Sequence, residues 1–492
     1  MSDYNGLRRR LVAASAMTPS RFPLPTFPPA MQADLFLSRW TGSARHGDQE
    51  VIDWINCHRG LPRLRAVPSP LDQLDHWQID PHSGNIVHES GRFFSITGVR
   101  VRHRYNLREV TWDQPIIDQP EVGILGILAK SIDGVLHFCL QAKEEPGNIG
   151  GVQLSPTIQA TYSNYTTTHG GARPLFLEHF LNPAPWQVLF ARLQTEDGGR
   201  FLYKSNRNMI VLLPEDSDET LPKAFIWLTL RQIALLLRQH NLLHATTRSI
   251  LAALFCCCNS PVLMATAARA GVVAEPPVTE ACRPEILAES IGWLDQWKAN
   301  HHFLVRRIGL SALDEWHFDA HGFLSHREDR FFRIIGLNIS GADREVSSWS
   351  QPILCNPEIG VVGLLTRERS GRRQYLMQAK AEIGNRNLVQ LAPTVQFTPG
   401  NYLHNPRLEK PFLFDDFQKH SRFPSLFETL QSEEGARFFR EAHQHRILCL
   451  PDHVDLNPPA DYRWLDQDEI GFFLHFGDLV NSCARSILAC LL

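Results

Sequence analysis

The chain repeats itself, and this duplication limits its possible folds more than any other feature. Gln141-Ala142-Lys143 recurs as Gln378-Ala379-Lys380, 237 residues later. The same offset relates further pairs, among them Gly147-Asn148 with Gly384-Asn385, Trp227 with Trp464, and residues 248–252 with 485–489. One register held over so many matches predicts two copies of one ancestral domain.

Each copy is long enough to form its own hydrophobic core, and the 492 residues together exceed what one core usually supports. The boundary is predicted between Ala267 and Cys282, where small residues are interrupted by Gly271 and prolines. We therefore expect an N-terminal repeat at 1–266 and a C-terminal repeat at 267–492.

Both copies have a pattern typical of an α+β fold, with mixed sheets covered by helices. Residues 124–128 and 135–140 are predicted as strands around a turn at Asp133-Gly134. Residues 232–254 and 469–491 carry apolar residues at helical spacing and are each predicted as one helix packed on the sheet. The Ala- and Ser-rich segment 11–17 is interpreted as a frayed arm rather than a targeting sequence.

Composition and charge narrow the class of protein. A net charge of −3 supplies no basic field for nucleic acid, and no apolar run is long enough for a membrane anchor. The ten cysteines form no paired CxxC motifs, which disfavours zinc. Reduced thiols in the cytoplasm are the simplest interpretation.

The segment that begins at Gln141 is the candidate site. If its strand continues past Leu140, then Gln141, Lys143 and Glu145 lie on one face, because side chains alternate along a strand. A Lys–Glu pair of this kind is often only a solvated ion pair. The second copy keeps the same three residue types at positions 378, 380 and 382, which favours a ligand site over an incidental surface.

Three motifs resemble the NDP-hexose 2,3-dehydratase family: the string from Gln141 to Asn148, the polar string from Gln153 to Tyr165 with His169-Gly170-Gly171, and residues 196–201. The resemblance covers nearly the whole chain. It implies two tandem Nudix-like domains, a homodimer, and a dTDP-4-keto-6-deoxyhexose substrate used in deoxysugar biosynthesis. Tyr162 and Thr167 depart from the family, whose members often carry Arg at these positions.

For such a substrate, the C4 ketone acidifies the C3 proton, so that a base can form an enolate and hydroxide can leave C2. Glu145 is the expected base, with Glu144 and His169 as rivals, and Lys143 would stabilise the enolate or protonate the leaving oxygen. No metal and no cofactor are expected. The candidates for holding sugar and nucleotide, each of which could equally satisfy loop backbone, are Gln141, Asn148, Gln153, Gln159, Ser163, Asn164 and Tyr165.

The second copy departs from the motif at Ala392, Pro399-Gly400 and Pro406. We therefore expect catalysis in the first copy, with the second structural or vestigial. An unstable diketo product predicts a downstream ketoreductase or transaminase. Two alternatives stay open: a non-catalytic nucleotide-sugar-binding protein, and a Nudix-type hydrolase, for which the metal-binding acidic helix is missing around Arg344-Glu345.

Overall fold

A computed structural model gives the fold of most of the chain. The described residues are 2–17, 27–42, 45–60, 64–105, 108–162, 173–217, 220–258, 261–271, 284–341, 347–369, 371–403, 408–419 and 421–492.

The twelve strands follow the same order in both copies, whereas several helices belong to one copy only. The α-helices are α1 Ser2–Met17, α2 Pro29–Trp40, α3 Asp48–Arg59, α4 Leu177–Leu181, α5 Leu230–Leu236, α6 Ala245–Leu251, α7 Phe255–Cys258, α8 Pro261–Arg269, α9 Pro284–Asn300, α10 Pro399–Leu403, α11 Phe414–Gln418, α12 Gln467–His475 and α13 Ser482–Ala489. The strands of the first copy are β1 Leu64–Ser69, β2 Trp77–Ile79, β3 Ile86–His88, β4 Ser95–Tyr105, β5 Arg108–Asp118, β6 Ile124–Ile132, β7 Val135–Glu144, β8 Val152–Pro156, β9 Ile158–Ala160, β10 Val188–Thr195, β11 Ser205–Leu212 and β12 Phe225–Leu228. Those of the second copy are β13 His301–Ile308, β14 Trp316–Phe318, β15 Leu324–His326, β16 Arg333–Gly341, β17 Ser348–Cys355, β18 Gly360–Arg369, β19 Arg372–Ala381, β20 Val389–Ala392, β21 Val395–Phe397, β22 Ser425–Ser432, β23 Ala442–Cys449 and β24 Tyr462–Asp466.

Each copy contributes a seven-stranded mixed sheet. In the first copy the order is β10-β11-β6-β7-β12, with β8 on β7 and β9 on β6. The second copy repeats this arrangement with β22-β23-β18-β19, to which β20, β21 and β24 are added. The mixed α and β composition predicted from the sequence is therefore confirmed.

The two smaller sheets exchange a strand between the copies. Strand β1 pairs antiparallel with β16, and β13 pairs antiparallel with β4, so each copy donates its first strand to the other. The largest apolar cluster also draws on both copies, for example through Ile127, Leu364 and Ile487. Each copy also has an apolar cluster of its own, around Phe180 in the first and Phe417 in the second. The copies therefore have separate cores, as expected, and share further ones.

The β6–β7 hairpin forms as predicted and extends further. Asp133 and Gly134 both have positive φ, 51° and 80°, as a two-residue type I′ turn requires. Strand β7 continues to Glu144, four residues past Leu140. The predicted polar face of Gln141, Lys143 and Glu145 required this extension.

The two long helices predicted near the copy ends are each broken. The first is interrupted between α5 and α6, where Asn241 has a φ of 52° and His244 caps α6. The second is interrupted between α12 and α13, where Gly477 has a φ of 73° and Asn481 caps α13. The prediction of continuous helices used apolar spacing alone, which does not detect capping residues.

The N-terminal segment is a helix and not a frayed arm. Leu7 and Leu11 of α1 are buried against Phe36 of α2 and against Leu263 and Ala267 of α8. Helix α8 thus packs with first-copy helices. No helix in the described part of the chain is long and apolar enough to span a bilayer.

Two reciprocal contacts join the copies around a pseudo-two-fold axis. Gly147 N–H donates to Gly435 O, and Gly384 N–H donates to Gly198 O, each at 2.8 Å. A Cβ on Gly147 would lie 1.9 Å from Phe438 O, so only glycine allows this approach.

Two buried arginines make the other reciprocal contact. Arg248 Nη2 donates to Ser432 O at 2.7 Å, and the equivalent Arg485 Nη2 donates to Thr195 O at 2.5 Å. Both side chains are almost completely buried, and both cross from one copy to the other. The segment repeated at 248–252 and 485–489 therefore holds the copies together.

Candidate active site

Five side chains of the first copy form a closed hydrogen-bonded ring, here called the first site. Lys143 Nζ lies 2.9 Å from Glu145 Oε1 and donates to Gln159 Oε1 at 2.6 Å. Gln159 Nε2 donates to Thr246 Oγ1 at 3.1 Å, and Thr246 Oγ1 lies 2.7 Å from His244 Nδ1. His244 Nε2 closes the ring on Glu145 Oε2 at 2.8 Å.

The direction of these bonds assigns the histidine tautomer. His244 Nδ1 accepts from the backbone N–H of Thr246 at the start of α6, which leaves the Nε2–H to donate to Glu145. Burial alone would raise the pKa of Glu145, but the charge of Lys143 and the contacts with His244 hold it well below its usual range. Glu145 is therefore an anion at neutral pH although it is buried.

His244 and Thr246 were missed by sequence reasoning. They lie about a hundred residues after Glu145, inside a stretch predicted as continuous helix. The break before α6 and the parallel bridge between Leu154 and Leu243 bring them beside strand β7. The repeat itself offered a signal for His244, because the equivalent position of the second copy holds Asn481 instead of a histidine.

The corresponding residues of the second copy, here called the second site, do not form the ring. Lys380 Nζ is 3.6 Å from Glu382 Oε1, and Gln396 Nε2 donates directly to Glu382 at 3.0 Å. Asn481 replaces His244 and donates to Gln396 at 2.9 Å, while Cys483 replaces Thr246. The second site thus lacks the imidazole that contacts the carboxylate in the first.

The structure places the predicted residues in different surroundings. Lys143, Glu145 and Gln159 come together as expected, with Gln141 two residues earlier on the same strand. Glu144 does not face them: its Oε2 accepts from Leu64 N at 3.2 Å, at the start of β1.

Asn148 and Gln153, predicted as substrate contacts, lie against the second copy. Gln153 is completely buried and donates to Ser432 Oγ of the second copy at 2.5 Å. Asn148 donates to Gly151 O and packs against Gly435. Ser163, Asn164, Tyr165 and His169 lie outside the described residues.

A cavity of about 40 Å³ lies between the copies, next to the first site. Apart from Leu125, it is lined by pairs of residues 237 apart, so it sits on the pseudo-two-fold axis. Thr246 of the first site and Cys483 of the second both reach it. Four acidic residues also line it: Glu196, Asp197, Glu433 and Glu434.

Within the described ranges, no group of three or more His, Cys, Asp or Glu side chains is arranged to hold a metal ion. The ring itself pairs its one carboxylate with a lysine and an imidazole, so its chemistry is that of proton transfer and charge stabilisation.

Comparison with known proteins places this geometry in a family. The profile of the NDP-hexose 2,3-dehydratases matches residues 48–254 and again residues 287–491. A Saccharopolyspora spinosa protein named dTDP-4-dehydro-6-deoxy-alpha-D-glucopyranose 2,3-dehydratase is 37% identical over 440 residues, 89% of this chain and 90% of its own length. Proteins of the same name from Amycolatopsis orientalis and Streptomyces violaceoruber are 37% identical over 451 residues and 39% identical over 443 residues. The alignment with the Amycolatopsis orientalis protein covers 90% of this chain and 90% of that relative. The alignment with the Streptomyces violaceoruber protein covers 89% of this chain and 95% of that relative. Both copies match the profile and the relatives align over most of their length, so the chain belongs to the NDP-hexose 2,3-dehydratase family.

Proposed function

We propose that the first site removes water across C2 and C3 of a dTDP-4-keto-6-deoxyhexose, of which dTDP-4-dehydro-6-deoxyglucose is the first substrate to test. The family's reaction is a 2,3-dehydration, and the relatives' names specify this sugar nucleotide. The observation that carries the proposal is the ring that keeps Glu145 anionic beside Lys143.

Glu145 takes the C3 proton in this proposal. A carboxylate that is ionised and oriented by two donors is ready to accept a proton, although its lowered pKa makes it a weak base. When the sugar enters, Lys143 can turn from Glu145 toward the oxygen at C4, where negative charge develops. This movement strengthens Glu145 as a base at the moment at which the enolate needs the cation.

The remaining ring members hold these two groups in place. His244 fixes one carboxylate oxygen, and Gln159 and Thr246 fix the histidine and the lysine. After hydroxide leaves C2, the resulting enol takes up a proton at C2 and loses one from the C3 oxygen, which yields a 3,4-diketo-2,6-dideoxy sugar. The oxidation at C3 is internal to the elimination, so the proposal calls for no redox cofactor.

The broader setting stays a set of predictions. The Nudix-like description of each copy and the homodimer follow from the resemblance. The cytoplasmic location follows from the cysteine composition, and the reducing or aminating partner enzyme follows from the expected instability of the diketo product. The second site lacks His244, which favours a structural or vestigial role for it.

The test is incubation of the purified protein with dTDP-4-dehydro-6-deoxyglucose and a 3-ketoreductase that traps the product. Mass spectrometry should detect a trapped sugar nucleotide derived from a product one water lighter than the substrate. Tight binding of dTDP with no such product would favour a non-catalytic binding protein, and release of a sugar phosphate would favour a hydrolase.

A further inference from the structure

His244 lies at the end of a short loop, residues 237–244, that joins α5 to α6. Strand β8 of the first copy holds one side of this loop. Leu154 N donates to Leu242 O at 2.8 Å, and His244 N donates to Leu154 O at 3.1 Å. The position of the imidazole against Glu145 therefore depends on the backbone of this loop.

The other side of the loop lies against the second copy. Strand β22 lies at the end of the second copy's seven-stranded sheet, and its outer edge meets the loop. Asn241 N donates to Leu430 O at 2.9 Å, and Leu430 N donates to His240 Nδ1 at 3.1 Å. Gln431 Nε2 donates to Leu237 O at 2.8 Å. The second copy thus supports the loop that carries the imidazole.

Arg248, on α6, joins the loop to this strand directly. Its Nη1 donates to Leu243 O, the carbonyl next to His244 in the chain, and its Nη2 donates to Ser432 O at 2.7 Å. Nη1 also donates to Gln431 Oε1 at 3.2 Å. The side chain is completely buried. A planar guanidinium holds several acceptors in a fixed geometry, which the ammonium of a lysine on its flexible stem does not reproduce.

Resting on the proposed function, we propose that Arg248 is a positioning residue of the first site. It links the Leu243 carbonyl to the Ser432 carbonyl of the second copy, which fixes the course of the loop. The imidazole of His244 is thereby aimed at Glu145. The second copy is then required for catalysis, although no side chain of the ring comes from it.

Arg485 provides a matched control in the second copy. Its Nη1 donates to Val480 O, and its Nη2 donates to Thr195 O at 2.5 Å, so it makes the same two contacts in the opposite direction. The residue after Val480 is Asn481, which belongs to the second site. Arg248→Lys and Arg485→Lys therefore disrupt equivalent contacts between the copies, but only the first variant loses the contact beside the imidazole.

The first experiment measures stability and kcat of the two variants in the trapped dehydration assay. Both substitutions should lower the free energy of unfolding by similar amounts, because the contacts are equivalent. After correction for the folded fraction, kcat should fall about 10-fold or more in Arg248→Lys, since a small displacement of a catalytic group is costly, while KM changes less than about twofold. In Arg485→Lys, kcat should stay within about twofold of the wild type, because no contact made in the transition state is lost.

A double-mutant cycle shows whether Arg248 acts through His244. In the His244→Asn background the imidazole is already gone, so Arg248→Lys should lower kcat by less than about twofold further. If Arg248→Lys does not fold, Gln431→Met takes its place, because it removes one contact of Arg248 without changing the first copy. Gln431→Met should lower kcat about two- to fivefold in the wild type and leave it unchanged in the His244→Asn background.

A further measurement needs no turnover. The Nε2 proton that His244 donates to Glu145 should give a downfield NMR signal, identified by its loss in His244→Asn. This signal should shift in Arg248→Lys and stay in place in Arg485→Lys. An unchanged signal or an unchanged kcat in Arg248→Lys, or equal losses of kcat in the two backgrounds, would overturn the proposal. A wild type that does not turn over the sugar would instead count against the proposed function, and the NMR signal would still decide the role of Arg248.

Discussion

The two copies keep the same scaffold but differ at the centre of their sites. Both have the lysine, the glutamate and the glutamine, yet only the first has His244 and Thr246, where the second has Asn481 and Cys483. By contrast, the glycines and arginines that join the copies are kept in both. The contacts that join the copies therefore use equivalent residues of both copies, whereas the proton-transfer ring is complete only in the first copy.

Replacing His244 with asparagine, the residue at the equivalent position of the second site, should cause the largest difference in activity between substitutions in the two copies. His244→Asn keeps a good capping residue for α6 but removes the imidazole that contacts Glu145. A hydrogen bond to a charged group contributes about 1.5 to 3 kcal/mol, so kcat should fall roughly 10- to 100-fold. The matched variant Asn481→Ser keeps the cap of α13 and should stay within about twofold of the wild type. Equal losses in the two variants would contradict the asymmetry.

Equivalent substitutions at the contacts between the copies should lower stability equally, whichever copy carries them. In Gly147→Ala and Gly384→Ala the new methyl group would lie 1.9 Å from Phe438 O and 1.8 Å from Phe201 O, respectively. Each should lower the free energy of unfolding by about 1 to 3 kcal/mol, measured by urea denaturation. A large effect in only one copy would show that the pseudo-symmetric contact is not shared.

The buried carboxyl group of Glu441 should also make the stability of the fold depend on pH. Burial raises the pKa of Glu441 to about 7, so the folded state holds a proton that the unfolded state has lost above its ordinary value near 4.5. Stability should therefore fall as pH rises from about 5 to about 7, by at most about 1.4 kcal/mol per pH unit for this group. Urea denaturation of Glu441→Gln should show a shallower slope than the wild type, and the exposed Glu409→Gln should not.

Much of the architecture was predictable from the sequence, because the repeat fixes which segments correspond. The exchange of β1 and β13 was not, since either copy's sheet offers the same antiparallel edge and the sequence does not say which copy a strand joins. Lys143, Glu145 and Gln159 were found because strand alternation and a recurring motif are local signals. His244 was missed because its contact depends on a helix break far along the chain.

The contacts of Gln153 and Asn148 with the second copy could not be predicted from the sequence either. A polar residue in a motif can serve a ligand or a buried interface, and the sequence does not give burial. Ser432 and Gly435, which engage these two residues, belong to the other copy. The prediction of the site was therefore limited mainly by contacts between the copies, and less by the chemistry of the residues.

The central claim is that the chemistry occurs in the first copy alone. The direct measurement is kcat for Glu145→Gln and Glu382→Gln in the trapped dehydration assay, each corrected for the folded fraction. Loss of a general base should lower kcat about 100- to 10,000-fold in Glu145→Gln, while Glu382→Gln should retain most of the activity. Strong loss in Glu382→Gln with activity kept in Glu145→Gln would contradict the assignment.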